Sequence, residues 1–209
     1  MIKLTKLEEP EVLKQNKETW RTELLDALEN GNKDEIATKR RRYNHPQIKS
    51  RLKEETSEKC AYCEAKVTDV AHGDIEHITP KSKDASLTFE WVNLTFSCQV
   101  CNQRKSNKEG VLDPYKEDPN DHLFFAGPLV KGKSAQGVST VLVLDLNRAP
   151  LIESRNREIE RYANELQQIC LLEDQALKDL VFQSLLTDLE SRKPEFIAAC
   201  RQVIKAYQE

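Results

Sequence analysis

The sequence predicts an α+β protein, mostly α-helical, with a small strand-containing core at its centre. Three observations lead there. Apolar residues recur at helical spacing over both ends of the chain, the middle replaces that rhythm with short alternating runs, and two Cys-x-x-Cys pairs bracket the middle. The 209 residues accordingly divide into an N-terminal helical segment (1–59), a central core (60–112) and an irregular connection followed by C-terminal helices (113–209).

In the first segment Leu13, Trp20, Leu24, Leu25 and Leu28 form the stripe of an amphipathic helix, and Asn30-Gly31-Asn32 stops it. A second helix is expected over residues 33–43. It carries the basic run Lys39-Arg40-Arg41-Arg42, readable as a solvated face or as a phosphate-contacting patch. Pro46 opens a short third helix, with His45 before it as a turn or cap residue. In the middle, Asp74-Ile75-Glu76-His77-Ile78 alternates like a strand closed by Pro80. Residues 89–96, rich in aromatic and branched side chains, read as a second strand. The polar stretch 99–108 suits one short helix. Beyond it Asp113-Pro114, Asp118-Pro119 and Gly127-Pro128 mark turns, and residues 139–146 are a strand candidate. The end is helical again. Ile159, Tyr162, Leu166 and Ile169 make one stripe, Leu177, Leu180, Val181, Leu185 and Leu189 the next, and Pro194 begins a last helix.

Composition narrows the class. A hydrophobic fraction of 38% with 32% charged residues fits a folded, helix-rich protein rather than a disordered one. No apolar run approaches the roughly 18 residues of a membrane span, and the polar start Met1-Ile2-Lys3-Leu4-Thr5-Lys6 is unlike a secretory signal, so the expected location is the cytoplasm. The formal net charge is -3, distributed as +2, -1 and -4 over the three segments. No segment is basic enough to bind phosphates without help, so basic residues are focused locally or a partner brings the nucleic acid.

Cys60/Cys63 and Cys98/Cys101 have the spacing of a four-thiolate zinc site. Two residues between the cysteines let both sulfurs of a knuckle face one ion, and the closed sulfur shell makes the zinc structural. Cys170 and Cys200 lie among apolar neighbours and read as small core residues.

Between the knuckles stand groups suited to cutting a phosphodiester, which needs an activated water and a cation for the developing charge. His77 is a base that titrates near neutrality. Glu76 and the amide of Asn102 offer hard oxygens to Mg²⁺ or Mn²⁺. Asp74, two residues before Glu76, is an extra or outer ligand. Arg104, Lys105 and Lys108 beside Asn102 are candidate phosphate contacts, a solvated helix face being the alternative. His72 and His122 have no evident partner and read as structural or turn residues.

Asp74-Ile-Glu76-His77-Ile78-x-Pro80, then Asn93-Leu94, then Cys98-x-x-Cys101-Asn102-x-x-Lys105 resemble the HNH, or ββα-metal, endonuclease family. The resemblance covers residues 60–108 and implies a zinc-stapled ββα-metal nuclease core. It gives His77 the general base's place, Glu76 and Asn102 the metal ligands' places, and Asn93 that of the central asparagine, which positions the loop and the base. Family members often carry His or Asp where Glu76 stands and His where Asn102 stands. The flanks, Tyr43-Asn-His-Pro-Gln-Ile-Lys49, Glu64 after the first knuckle and Leu112-Asp-Pro114, are similar to the HNH proteins of Septu-type and retron-associated anti-phage systems. That likeness implies DNA cleavage beside an ATPase of the ABC/OLD-like kind, with the acidic C-terminal helices as its docking surface. Three other readings use the same residues: a non-catalytic zinc module that binds nucleic acid, an adaptor with a vestigial core, and an RNA- or tRNA-cleaving nuclease.

Overall fold

The computed structural model describes residues 1–68 and 71–208. Helix α1 (Glu11–Asn30) buries Leu13, Leu24 and Ala27. It ends where Gly31, at φ 73°, turns left-handed and donates its N–H to the Ala27 carbonyl. Helix α2 (Lys33–Arg40) starts on the Asn32 side chain, which accepts from the N–H groups of Asp34 and Glu35, and tightens into a 3₁₀ turn over Arg41–Tyr43. His45 caps α3 (Pro46–Glu55), its ring accepting from Gln47 N as a cap residue should. Ahead of α1, residues 1–10 form an extended strap. Met1, Ile2 and Leu4 are buried, Leu7 N donates to Glu55 Oε2 at 2.9 Å, and Leu7 O accepts from the Trp91 indole at 2.8 Å. Lys6 reaches Glu55 at 3.0 Å with its ammonium between the rings of Trp91 and Tyr115.

The middle holds an antiparallel pair, β1 (Asp74–His77) with β2 (Leu94–Ser97), in the register Asp74↔Ser97 and His77↔Leu94. Helix α4 (Gln99–Lys105) follows at once. The second strand is shorter than expected. Residues 85–93 coil into two 3₁₀ turns, Ala85–Phe89 and Trp91–Asn93, closed by Glu90 N to Leu87 O and Asn93 N to Glu90 O. Phe89 packs edge-on against Trp20 of α1, ring centroids 5.6 Å apart, so its aromatic character serves the core rather than a ladder.

After a short helix, α5 (Pro119–His122), a hairpin of β3 (Leu123–Ala126) and β4 (Leu129–Gly132) turns at Gly127-Pro128. The strand expected over 139–146 is instead part of helix α6 (Ala135–Leu144). Its branched residues favour a strand, but Ser134 caps the helix and the Thr140 hydroxyl donates to Gln136 O while accepting from Leu112 N. Helix α6 also lies on the hairpin too closely for any other residue at its contact points: a Cβ on Gly137 would sit 2.0 Å from His122 O, and one on Gly132 2.3 Å from Val138 N. Gly137→Ala is therefore expected to destabilise the protein by about 3 kcal/mol in a urea melt; an unchanged midpoint would refute this close packing.

Helices α7 (Ala149–Leu171), α8 (Gln175–Glu190) and α9 (Ile197–Gln208) complete the chain. Tyr162, Leu166, Ile169, Leu185, Leu189, Ile197 and Ile204 form their core. The α8 stripe is buried at Leu185 and Leu189 only, and Leu177, Leu180 and Val181 face outward. Cys200 is a core residue as expected; Cys170, beside the buried stripe of α7 at the helix's last turn, is exposed instead. A larger core joins all three segments, from Leu13 and Leu52 through Phe96 and Leu112 to Leu144 and Phe196. No described helix is long and apolar enough to cross a membrane.

Candidate active site and its metal staple

The two knuckles are built from local backbone bonds. Cys60 N donates to Ala65 O and Glu64 N to Cys60 O, folding the first knuckle, while Ala61 N donates to Phe96 O and fastens it to β2. The second knuckle is the start of α4, where Cys98 is the N-cap and its sulfur accepts from Cys101 N. All four sulfurs lie within 4.8 Å of one another, and Cys63 Sγ is 3.9 Å from Cys98 Sγ. A tetrahedron with metal–sulfur bonds of about 2.3 Å has edges of about 3.8 Å. The set therefore fits zinc, and Arg148, 3.7 Å from Cys101 Sγ, offsets its negative charge from outside.

Fastened in this way, α4 lies against β1. Arg40, Tyr43, Glu76, His77, Lys81 and Asn102 line one cavity of about 260 Å³. The imidazole of His77 is buried. Its Nε2 faces the Thr88 carbonyl at 2.9 Å, and a carbonyl can only accept, so Nε2 carries the hydrogen and Nδ1 the lone pair. Tyr43 stands edge-on to the ring with centroids 4.5 Å apart. Burial pushes the His77 pKa down to about 3, and Lys81 and Lys105 add to the push against the opposing Thr88 carbonyl. The ring is a neutral acceptor at any physiological pH.

Asn93 does not face a metal. Its Oδ1 accepts from Thr79 N at 2.7 Å, and its Nδ2 donates to Thr79 O and Leu87 O at 3.1 Å each. It ties both ends of the 79–87 connection together beside the carbonyl that orients His77. Asp74 accepts from Asn102 Nδ2 at 2.9 Å, which holds that amide in place.

Lys105 corrects one expectation. It is 1% exposed rather than on the phosphate-facing surface, because its ammonium lies 2.7 Å from Glu76 Oε1 and donates to His77 O at 2.7 Å. Arg104 and Lys108 do lie on the surface. Arg104 pairs with Asp145 at 2.8 Å, and Lys108 donates to Arg104 O at 2.7 Å. Burial raises the Glu76 pKa, with Lys105 pulling the other way. The ion pair is close but misaligned, and Oε1 is left buried without a hydrogen bond. A buried carboxylate oxygen with unspent lone pairs, in the same cavity as an amide, is a donor set that fits a hard divalent cation. Lys105→Met is expected to cost about 3–5 kcal/mol in a denaturant melt, since it leaves Glu76 unpaired in the interior. A variant as stable as the parent would show that the pair contributes nothing.

His72 is exposed, and the His122 ring bonds the Ser134 hydroxyl at 2.7 Å in the hairpin region. Tyr43 and Lys81 are site residues that sequence reasoning missed. Lys81 follows the Pro80 that closes β1, and that adjacency was a readable signal; Tyr43 arrives from outside the motif and gave none.

The model of the family HNH endonuclease matches residues 60–108, the span from the first knuckle to the end of the α4 region. Septu protein PtuB from Bacillus thuringiensis is 35% identical over an alignment of 111 residues that covers 51% of this chain. Those residues are 43% of the relative, so the match spans less than half of its length. With its cysteine cluster and β1–β2–α4 unit as described, the chain carries an HNH endonuclease domain at residues 60–108 and is similar to a Septu-type protein.

Proposed function

We propose that this chain is a divalent-metal-dependent endonuclease that hydrolyses DNA phosphodiester bonds, working in the cytoplasm as the nuclease of an anti-phage defence complex. The observation that carries the reading is the shared cavity of Glu76, His77 and Asn102 inside the HNH domain. Glu76 and Asn102 would hold Mg²⁺ or Mn²⁺. The bound ion supplies positive charge for the oxygens of the phosphate undergoing attack. His77 Nδ1 takes the proton from the attacking water, while the Thr88 carbonyl fixes the ring and its tautomer. Asn93 holds the connection that carries this carbonyl, and Asp74 keeps the Asn102 amide oriented. Arg104, on the exposed side of α4, and Lys108, just beyond the helix, meet the nucleic-acid backbone; Lys105 orders Glu76 instead. The four cysteines take structural zinc.

A partner ATPase of the ABC/OLD-like kind is part of the proposal, supported by the likeness to a Septu protein and by the outward-facing Leu177, Leu180 and Val181 of α8. The test is to offer supercoiled plasmid and structured RNA side by side with Mg²⁺, with Mn²⁺ and with neither, alone and with a co-expressed ABC/OLD-like ATPase. Metal-dependent nicking of the plasmid is the expected result. Cutting of RNA alone would move the substrate to the RNA reading, and no cutting under any condition would favour the adaptor.

A further inference from the structure

The basic run at the end of α2 and in the 3₁₀ turn after it separates once its side chains are traced. Lys39 pairs with Glu35 at 2.8 Å, Arg42 pairs with Glu23, and Arg41 is exposed. Arg40 differs from all three. It lines the cavity of Glu76 and His77, and its Nε is buried with no hydrogen-bond partner among the described residues. A buried, unsatisfied guanidinium N–H costs free energy that a ligand can recover. Lys81, across the same cavity, is held by Tyr43: its ammonium donates to the phenol oxygen at 2.7 Å and lies 4.2 Å from the ring centroid. With Lys105 paired to Glu76, the cavity keeps two further cations and no further carboxylate in its lining. The complement of that charge is an anion, and the planar fork of a guanidinium matches two phosphate oxygens at once.

We propose that Arg40, delivered by a helix outside the HNH domain, binds a backbone phosphate of the substrate in this cavity, with Lys81 as its partner. The inference rests on the nuclease reading of the cavity and makes the site composite: the base and metal ligands come from residues 74–102, the phosphate clamp from residue 40. It also accounts for a chain of net charge -3 engaging a polyanion, since the charge that matters is concentrated at one place.

The test is a fluorescence-anisotropy titration of a fluorescein-labelled DNA duplex, repeated over a range of salt, in a His77→Ala background so that the duplex survives. Arg40→Gln is expected to weaken binding at least about tenfold and to lower the slope of log affinity against log salt by about one. Arg40→Lys should keep the slope and lose part of the affinity, because a point charge replaces the fork. Arg41→Gln, one residue along and exposed, should lose much less. Zinc content and melting temperature confirm that each variant is folded. Equal losses at Arg40 and Arg41, no loss at either, or no binding by the Arg40 form overturns the assignment. Plasmid cutting with His77 in place is scored separately. Its dependence on His77 decides the nuclease reading, whereas the duplex titration decides Arg40.

Discussion

Cys98→Ser is expected to release the zinc and unfold the centre of the protein. The sulfur of Cys98 is a corner of the thiol cluster and stands at the start of α4; a serine hydroxyl can still cap that helix but cannot serve as a thiolate ligand, so the substitution isolates the loss of the metal that fastens the helix carrying Asn102 and Lys105. Zinc held by a preformed thiolate set contributes about 10–16 kcal/mol of apparent binding free energy, against a net stability of about 5–15 kcal/mol for a typical domain. Loss of the ion therefore exceeds the margin. Elemental analysis should find one zinc per chain in the parent and far less in the variant, with the cooperative thermal transition lost or lowered by tens of degrees. Cys170→Ser, at an exposed thiol outside the cluster, should change neither quantity. A Cys98→Ser protein that melts like the parent would mean that the four thiols pack without a metal.

The second large effect belongs to His77. His77→Ala should lower the cutting rate by about 10²–10⁴-fold, the range of general-base catalysis, with the zinc content unchanged. The pH profile adds a sharper expectation. A base whose pKa is depressed to about 3 is already unprotonated in neutral and mildly acidic solution, so the rate should show no protonation limb around pH 6 to 7 arising from this ring. A limb there that disappears with the His77 variant would mean that the ring is more solvated during turnover than its buried position between Thr88 and Tyr43 implies.

How much of this was legible in the sequence depended on whether the signal was local. The α1 stripe and its Gly31 stop, the His45 cap and the two knuckles all rest on interactions within a few residues, and each lies where spacing placed it. Residues 139–146 misled because branched side chains favour a strand, yet the decision was made at long range, by Leu112 N on Thr140 and by the close approach of Gly137 to His122. Residues 89–96 misled for a similar reason: Phe89 is apolar for the sake of Trp20, and Asn93 turns the chain before the ladder begins. In the site, His77 and Glu76 were marked by their neighbours in the chain. Lys105 had a readable signal that went unused: four residues after the buried Cys101, it falls on the inner face of α4. Arg40 was covered only by the reading of its run as a phosphate-contacting patch, since nothing in four consecutive basic residues tells which one lines the cavity.

The strap of residues 1–10 bears on any attempt to exchange this nuclease centre for that of a relative. Leu7 meets Trp91 and Glu55, and Lys6 is gripped by two rings and donates to Leu94 O, so the outer edge of β2 is moulded to a peptide some eighty positions upstream. A chimera that transplants the matched span alone would bring an edge cut for a different strap. It should express poorly until the first ten residues travel with it, which makes the two pieces a single unit of inheritance despite their distance along the chain.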